Sequence, residues 1–178
     1  GVNDPMLRRY ATTVFVKAFD ILTDNPPSEP TFVDVPKDHP QYKEIEAIYR
    51  EGITSGCSAN PPKFCPDKEV SHAEMAVFLV RALKLDPNEV PSEQIFEDVP
   101  PTHWAFPYVQ LLYEKGITAG CSETPRRFCP DDLVSRGQTA ALVMNSVIYK
   151  ESSLPTPTPT HVLVTGDANA DGVVDGQD

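Results

Sequence analysis

The chain has 178 residues, 40% of them hydrophobic, and a formal net charge of −11 at pH 7. That length holds one compact domain of about 150 residues plus a tail. The acidic balance excludes a nucleic-acid backbone as partner, which needs a basic face, and no run approaches the roughly 18 apolar residues of a membrane span. No signal peptide opens the chain, and Gly1-Val2-Asn3 falls in mid-pattern, as expected of a fragment or a processed product.

The N-terminal residues 5–22 carry a helical pattern behind Asp4-Pro5. The rest of the chain gives that pattern its meaning, because the sequence repeats itself at an offset of 64 residues. Phe32-Val33-Asp34-Val35-Pro36 returns as Phe96-Glu97-Asp98-Val99-Pro100, and Gly52-Ile53-Thr54-Ser55-Gly56-Cys57-Ser58 as Gly116-Ile117-Thr118-Ala119-Gly120-Cys121-Ser122. Between 32–86 and 96–150, 20 of 55 positions are identical without a gap, so the unit is a duplication rather than a chance likeness. At the same offset Arg8 falls on His72 and Arg136, and Phe15 on Leu79. Residues 1–24 therefore read as the last part of a first repeat, 25–86 as a second and 87–150 as a third.

Each repeat begins with an extended Phe-x-Asp-Val-Pro segment and continues into a helix. Tyr42, Ile45, Ile48 and Tyr49 mark its apolar face in one copy, and Trp104, Tyr108, Leu111 and Leu112 in the other. Gly52 and Gly116 stand where a helix C-terminal glycine is expected. A loop with two cysteines leads to a second helix, over about 72–85 and 136–149. Ser71-His72-Ala73-Glu74 and Ser135-Arg136-Gly137-Gln138 open it as capping boxes. Met75, Phe78, Leu79, Ala82 and Leu83 form its buried stripe. Three such helices with one apolar face each predict a mainly α fold, a repeat domain of helix–loop–helix motifs around a central helix bundle.

The pairs Cys57/Cys65 and Cys121/Cys129 share one spacing. One disulfide per repeat is the simplest reading, and it places the chain outside the cytosol. The alternative is a metal held by Cys57, Cys65 and His72, against which stands Arg136 at the matching place in the third repeat. Arg136, His72 and Arg8 form a further constellation with Trp104. An arginine in the first helical turn opposes the macrodipole, so a ligand or a carboxylate partner explains it better than helix stability does. Arginine with tryptophan suits an acidic carbohydrate. The plain alternatives are a core tryptophan, and an Arg136 paired with Asp98 or Asp131. No nucleophile triad or phosphate loop is present, and an enzyme is not expected.

Residues 151–165 are a Pro-Thr linker, stiff and extended. From 166 the chain reads as a twelve-residue calcium loop. Asp167, Asn169, Asp171, Asp175 and Asp178 supply side-chain oxygens, Val173 its carbonyl, and Gly172 the sharp turn. Asp178 stands where glutamate is usual, so lower affinity is expected.

The Phe-x-Asp-Val segment, the Gly-Ile-Thr-x-Gly turn, Phe-Cys-Pro-Asp, and Val-Ser-His-Ala-Glu or Val-Ser-Arg-Gly-Gln together resemble the S-layer homology motif. That resemblance implies three motifs in a pseudo-threefold spindle around a helical bundle, tethering exported proteins to cell-wall polysaccharide that often carries pyruvate ketals. The family's arginine corresponds to Arg136 and Arg8 and becomes His72 in the middle motif. The tail resembles the first calcium loop of a type I dockerin, which implies a cohesin-like protein partner. Two functions are thus in view: an extracellular, non-catalytic polysaccharide anchor at the cell surface, and a protein–protein assembly or spacer unit acting through calcium-dependent docking.

Overall fold

The computed structural model describes residues 1–90 and 93–155. The calcium loop and most of the Pro-Thr linker lie outside the described residues. In chain order the elements are α1 (Arg8–Ala18), α2 (Tyr42–Arg50), β1 (Ser58–Ala59), β2 (Pro62–Lys63), α3 (His72–Ala82), α4 (Phe106–Glu114), β3 (Ser122–Glu123), β4 (Arg126–Arg127) and α5 (Arg136–Ser152). β1 pairs antiparallel with β2, and β3 with β4, so each cysteine loop is a short hairpin.

Local chemistry sets the boundaries. Ser71 accepts from the Glu74 N–H and Glu74 accepts in turn from the Ser71 N–H; Ser135 and Gln138 do the same, completing both capping boxes. Gly52 and Gly116 end α2 and α4 with φ of 72° and 70°. Gly56 and Gly120 also have positive φ, and a side chain there would strike the Lys63 or Arg127 carbonyl.

The expectation of a mainly α bundle is corrected. About 37% of the described residues are helical, and the cysteine loops add the two strand pairs. Nor do the three second helices make one central body: α1 packs chiefly on α2 and α3 on α4, while α5 meets α1 and α3 along shorter contacts. The reason is that loop residues supply much of the interior. Phe32, Phe64 and Phe96 are among the largest fully buried side chains, and all three lie outside helices. Helical periodicity does not register such residues.

What joins the repeats is backbone pairing before the second helices. The Met6 N–H donates to the Val134 carbonyl, the Val134 N–H to Val70, and the Val70 N–H to Met6, each at 2.9 Å. These three residues stand 64 apart and are at most 4% exposed. The closed ring links both ends of the folded chain in a dry interior, where a lost partner is costly.

Asp34 and Asp98, the acid of each Phe-x-Asp-Val segment, hold the cysteine loops. The Asp34 carboxylate accepts from the Phe64 and Cys65 N–H groups at 2.8 Å; Asp98 accepts from Phe128 at 2.9 Å and Cys129 at 2.8 Å. Cys65 and Cys129 have φ of 57° and 56°, uncommon for a non-glycine residue. Disulfides join Cys57 to Cys65 and Cys121 to Cys129, with Cα atoms 6.0 Å apart in each pair. Those bonds remove the metal alternative, since both sulfurs of the suggested site are bonded to one another.

Candidate functional site

Arg8, His72 and Arg136 each occupy the first position of a second helix, and the three have different surroundings. Arg8 is 3% exposed. Its Nε donates to the Phe64 carbonyl at 2.8 Å. Its guanidinium carbon lies 4.7 Å from the Phe64 ring centre and 5.3 Å from that of Phe78. Nη1 is 3.9 Å from Glu74, while Nη2 has no partner. Burial pulls the Arg8 guanidinium below its usual range, opposed by the charges of Glu74 and Asp34.

His72 repeats this arrangement between α3 and α5. Nδ1 lies 3.0 Å from the Cys129 carbonyl and Nε2 3.3 Å from Gln138 Oε1, with the ring 6.0 Å from Phe128. Arg136 has an exposed side chain, and its backbone N–H donates to the Asp4 carbonyl at 2.9 Å. Neither Asp98 nor Asp131 forms an ion pair with it among the described residues; Asp98 is engaged with its cysteine loop.

Trp104 is not core. It is 58% exposed, precedes α4 rather than lying on it, and stacks on His103 with ring centres 5.6 Å apart. Leu111 and Leu112 do face the interior, as their spacing predicts.

These residues border two clefts rather than one site. The first, about 260 Å³, is lined by the Thr54–Gly56 turn, Glu74, Val77, Phe78 and Arg81 of α3, and Trp104 and Tyr108. The second, about 230 Å³, is lined by the Thr118–Cys121 turn, His72 and Ala76 of α3, and Gln138, Ala141, Leu142 and Asn145 of α5, over Leu112, Ile117 and Phe128. Trp104 and Glu74 meet in the first cleft, His72 stands in the second, and Arg8 is buried out of both. Arg126 stacks over Tyr113 at 5.0 Å on the second hairpin and lines neither. Arg81, Tyr108, Thr118 and Asn145 escape sequence reasoning as cleft residues, although the duplicated glycine turn, aligned at 64, is a signal that points to them.

A larger hollow, about 580 Å³, lies at the other ends of the helices. Three of its four cations are already engaged, and the fourth, Arg81, is shared with the first cleft. Arg50 donates to the Leu22 and Asp24 carbonyls, Lys84 lies 4.0 Å from Glu51, and Lys150 sits over Phe19. Helix C-terminal dipoles favour cations there and disfavour an anionic ligand.

Glu74 carries a shifted carboxyl. Burial alone would raise its pKa. The hydrogen bond from Lys68, the Ser71 N–H and the charges of Lys68 and Arg8 outweigh it, and the carboxyl lies below its usual 4.5. Among the described residues no cluster of His, Cys, Asp or Glu could hold a metal, and no helix is long and apolar enough to cross a membrane.

Residues 31–76 and 95–140 match the S-layer homology domain. The chain belongs to that family, whose members anchor surface proteins to the cell envelope. It is 31% identical over 126 residues to an endoglucanase of Bacillus sp. (strain KSM-635), covering 71% of this chain and 12% of that protein. To a cell surface protein of Thermoanaerobacter kivui it is 30% identical over 127 residues, covering 70% and 16%. To a surface-layer 125 kDa protein of Lysinibacillus sphaericus it is 28% identical over 150 residues, covering 83% and 12%. The chain thus spans 12–16% of the length of these relatives. Its place is extracellular, at the cell surface.

Proposed function

We propose that the chain is a non-catalytic anchor that binds an acidic envelope polysaccharide, including one bearing pyruvate ketals, noncovalently. The observation that carries this reading is the exposed Trp104 beside Tyr108 and Arg81 in the first cleft. Aromatic faces stack on the C–H face of a sugar, and a guanidinium pairs bidentately with a carboxylate. Arg136, exposed at the start of α5, supplies a further cation; Arg8, at the matching place in the first repeat, is buried and reaches neither cleft. His72 has the corresponding place in the middle repeat.

Co-sedimentation with isolated cell-wall polysaccharide, native and depyruvylated, tests this. Trp104→Ala and Arg136→Ala should each weaken binding to the native polymer about tenfold, the equivalent of about 1.4 kcal/mol, with unchanged circular dichroism. Binding indifferent to both substitutions and to depyruvylation would sink the reading.

The spacing of Asp167, Asn169, Asp171, Val173, Asp175 and Asp178 favours a second activity, calcium-dependent docking to a cohesin-like protein. Calorimetric titration with calcium should give binding in the full chain that Asp171→Ala abolishes; no heat in the unmodified chain removes this activity and leaves the anchor untouched.

A further inference from the structure

Among the second helices, α5 differs from α1 and α3 in what covers it. α2 lies against α1, and α4 against α3. Among the described elements no helix of that kind lies against α5, which meets chiefly α1 and α3. Burial records the difference position by position. Ala76, Val77 and Val80 of α3 are 1%, 9% and 0% exposed. Their counterparts at the 64-residue offset, Ala140, Ala141 and Met144, are all exposed, Met144 to 59%. One turn further on, Ile148 is 55% exposed where the second repeat has Lys84. Gly137, Ala140, Met144 and Ile148 follow the helical spacing of a single stripe. The buried residues Thr139, Val143 and Ser146 form the opposite stripe. Both hydroxyls of that stripe are satisfied within the chain, Thr139 Oγ1 donating to the Ser135 carbonyl at 2.9 Å and Ser146 Oγ to that of Leu142 at 2.8 Å. The solvent side of α5 is therefore at least as apolar as its core side, a pattern that belongs to a helix covered all round. Val2, 70% exposed, extends the patch; its carbonyl accepts from the Gly137 N–H at 2.8 Å and holds it beside the start of the stripe.

We propose that this face docks a second copy of the chain, whose α5 packs antiparallel against it about a two-fold axis at Met144. Such a pairing is isologous and closes on itself. Met144 then faces its own counterpart, Ala140 faces Ile148 of the second copy, and Gly137 faces Glu151. Small residues set against large ones let the two helices approach closely. Charge selects this occupant. The first turn of α5 holds Arg136 and no acidic residue, and Glu151 stands in its last turn, three residues past Ile148. Arg136 opposes the dipole of its own helix. Antiparallel pairing brings Glu151 of each copy to the Arg136 end of the other, where dipole and guanidinium both favour a carboxylate. A parallel pair sets Arg136 against Arg136 and Glu151 against Glu151 instead. The stripe from Gly137 to Ile148 is about 16 Å long at 1.5 Å per residue. A seam of that size makes a weak dimer, half-formed on the order of tens of micromolar. Pairing puts two envelope-anchoring domains on one unit, so the second attachment becomes intramolecular and strengthens the first.

Sedimentation velocity of the full chain, from about 1 µM to about 1 mM to bracket that midpoint, tests this. The 19.6 kDa chain should shift with concentration toward twice its mass. Met144→Asp, at an exposed position, should weaken association about a hundredfold with unchanged circular dichroism, and Ile148→Glu should act likewise. All four cysteines are held in disulfides, so Met144→Cys adds a single thiol, which the two-fold seam brings to its own counterpart. Copper–phenanthroline in air should crosslink that variant into a dimer and leave Lys43→Cys, exposed on α2, uncrosslinked. A chain that stays monomeric at every concentration overturns the proposal. So does a dimer indifferent to Met144→Asp, or equal crosslinking of the two cysteine variants. Trimers or larger species that Met144→Asp abolishes overturn the two-fold pairing. A monomer whose Ala140–Ile148 amides shift on adding a peptide of residues 101–116, the α4 segment, replaces the second copy with a helix of the α4 type and overturns the proposal as well.

Discussion

Glu74 shows how one residue serves cap, junction and cleft together. It accepts from the Ser71 N–H at 3.0 Å and from Lys68 Nζ at 2.8 Å, approaches Arg8, and lines the first cleft. Its pKa is lowered by folding, so its stabilisation is present above the usual glutamate value of 4.5 and fades as pH falls through the lower folded value. Glu74→Gln keeps the cap, as Gln138 does in the third repeat, and removes that titration. The variant should therefore lose stability at pH 7 while its melting temperature changes less than that of the unmodified chain between pH 5 and pH 3. Parallel pH curves for the two proteins would contradict the assignment. Asp34 shows a different economy: one carboxylate satisfies two loop N–H groups. Asp34→Ala leaves both without a partner, at roughly 1–3 kcal/mol each where they are buried, and urea unfolding should report a loss of about 2–4 kcal/mol.

Among the elements, the cysteine hairpin depends most on its crosslink. Strands of two residues cannot hold themselves. Each disulfide closes a sequence separation of 8. Restricting so short a loop in the unfolded chain is worth roughly 2.6 kcal/mol on the chain-entropy account. The hairpins also carry Phe64 and Phe128, both buried, into the core. Reduction should accordingly lower the melting temperature markedly, and the same melting temperature with and without reductant would refute a structural role for the bonds. The second helices depend on their caps: Ser71→Ala should cost about 1 kcal/mol, read as a shifted denaturation midpoint at constant slope.

At the scale of the whole molecule, the ring of Met6, Val70 and Val134 brings repeats far apart in sequence into one unit. No repeat can close that ring alone, so the described domain should unfold in a single transition, with equal calorimetric and van't Hoff enthalpies. The amides of Met6, Val70 and Val134 should be among the slowest to exchange, opening only with global unfolding. Fast exchange at Met6 with slow exchange at Val70 and Val134 would show instead that α1 detaches by itself.

Repetition, both capping boxes, the glycine helix stops and the cysteine pairing were all legible in the sequence. Each depends on residues close in the chain, where spacing alone fixes which groups can meet. The register of 64 also told which positions correspond, and family membership followed from that. Only the tertiary structure decided that the fold is not mainly helical, because phenylalanines from loops fill the interior without any helical period. It also decided that Trp104 is exposed, that Arg8 is enclosed by Phe64 and Phe78, and that Asp98 is engaged with a cysteine loop rather than with Arg136. Burial and partner choice are set by segments some 30 to 64 residues away, and equivalent positions in a repeat have different neighbours once they pack. The clefts belong to the same class of property. Glu74 and Gln138, or Arg81 and Asn145, align as simple substitutions in the sequence, and they become the walls of two unlike pockets only when turns and helices distant in the chain fold against one another.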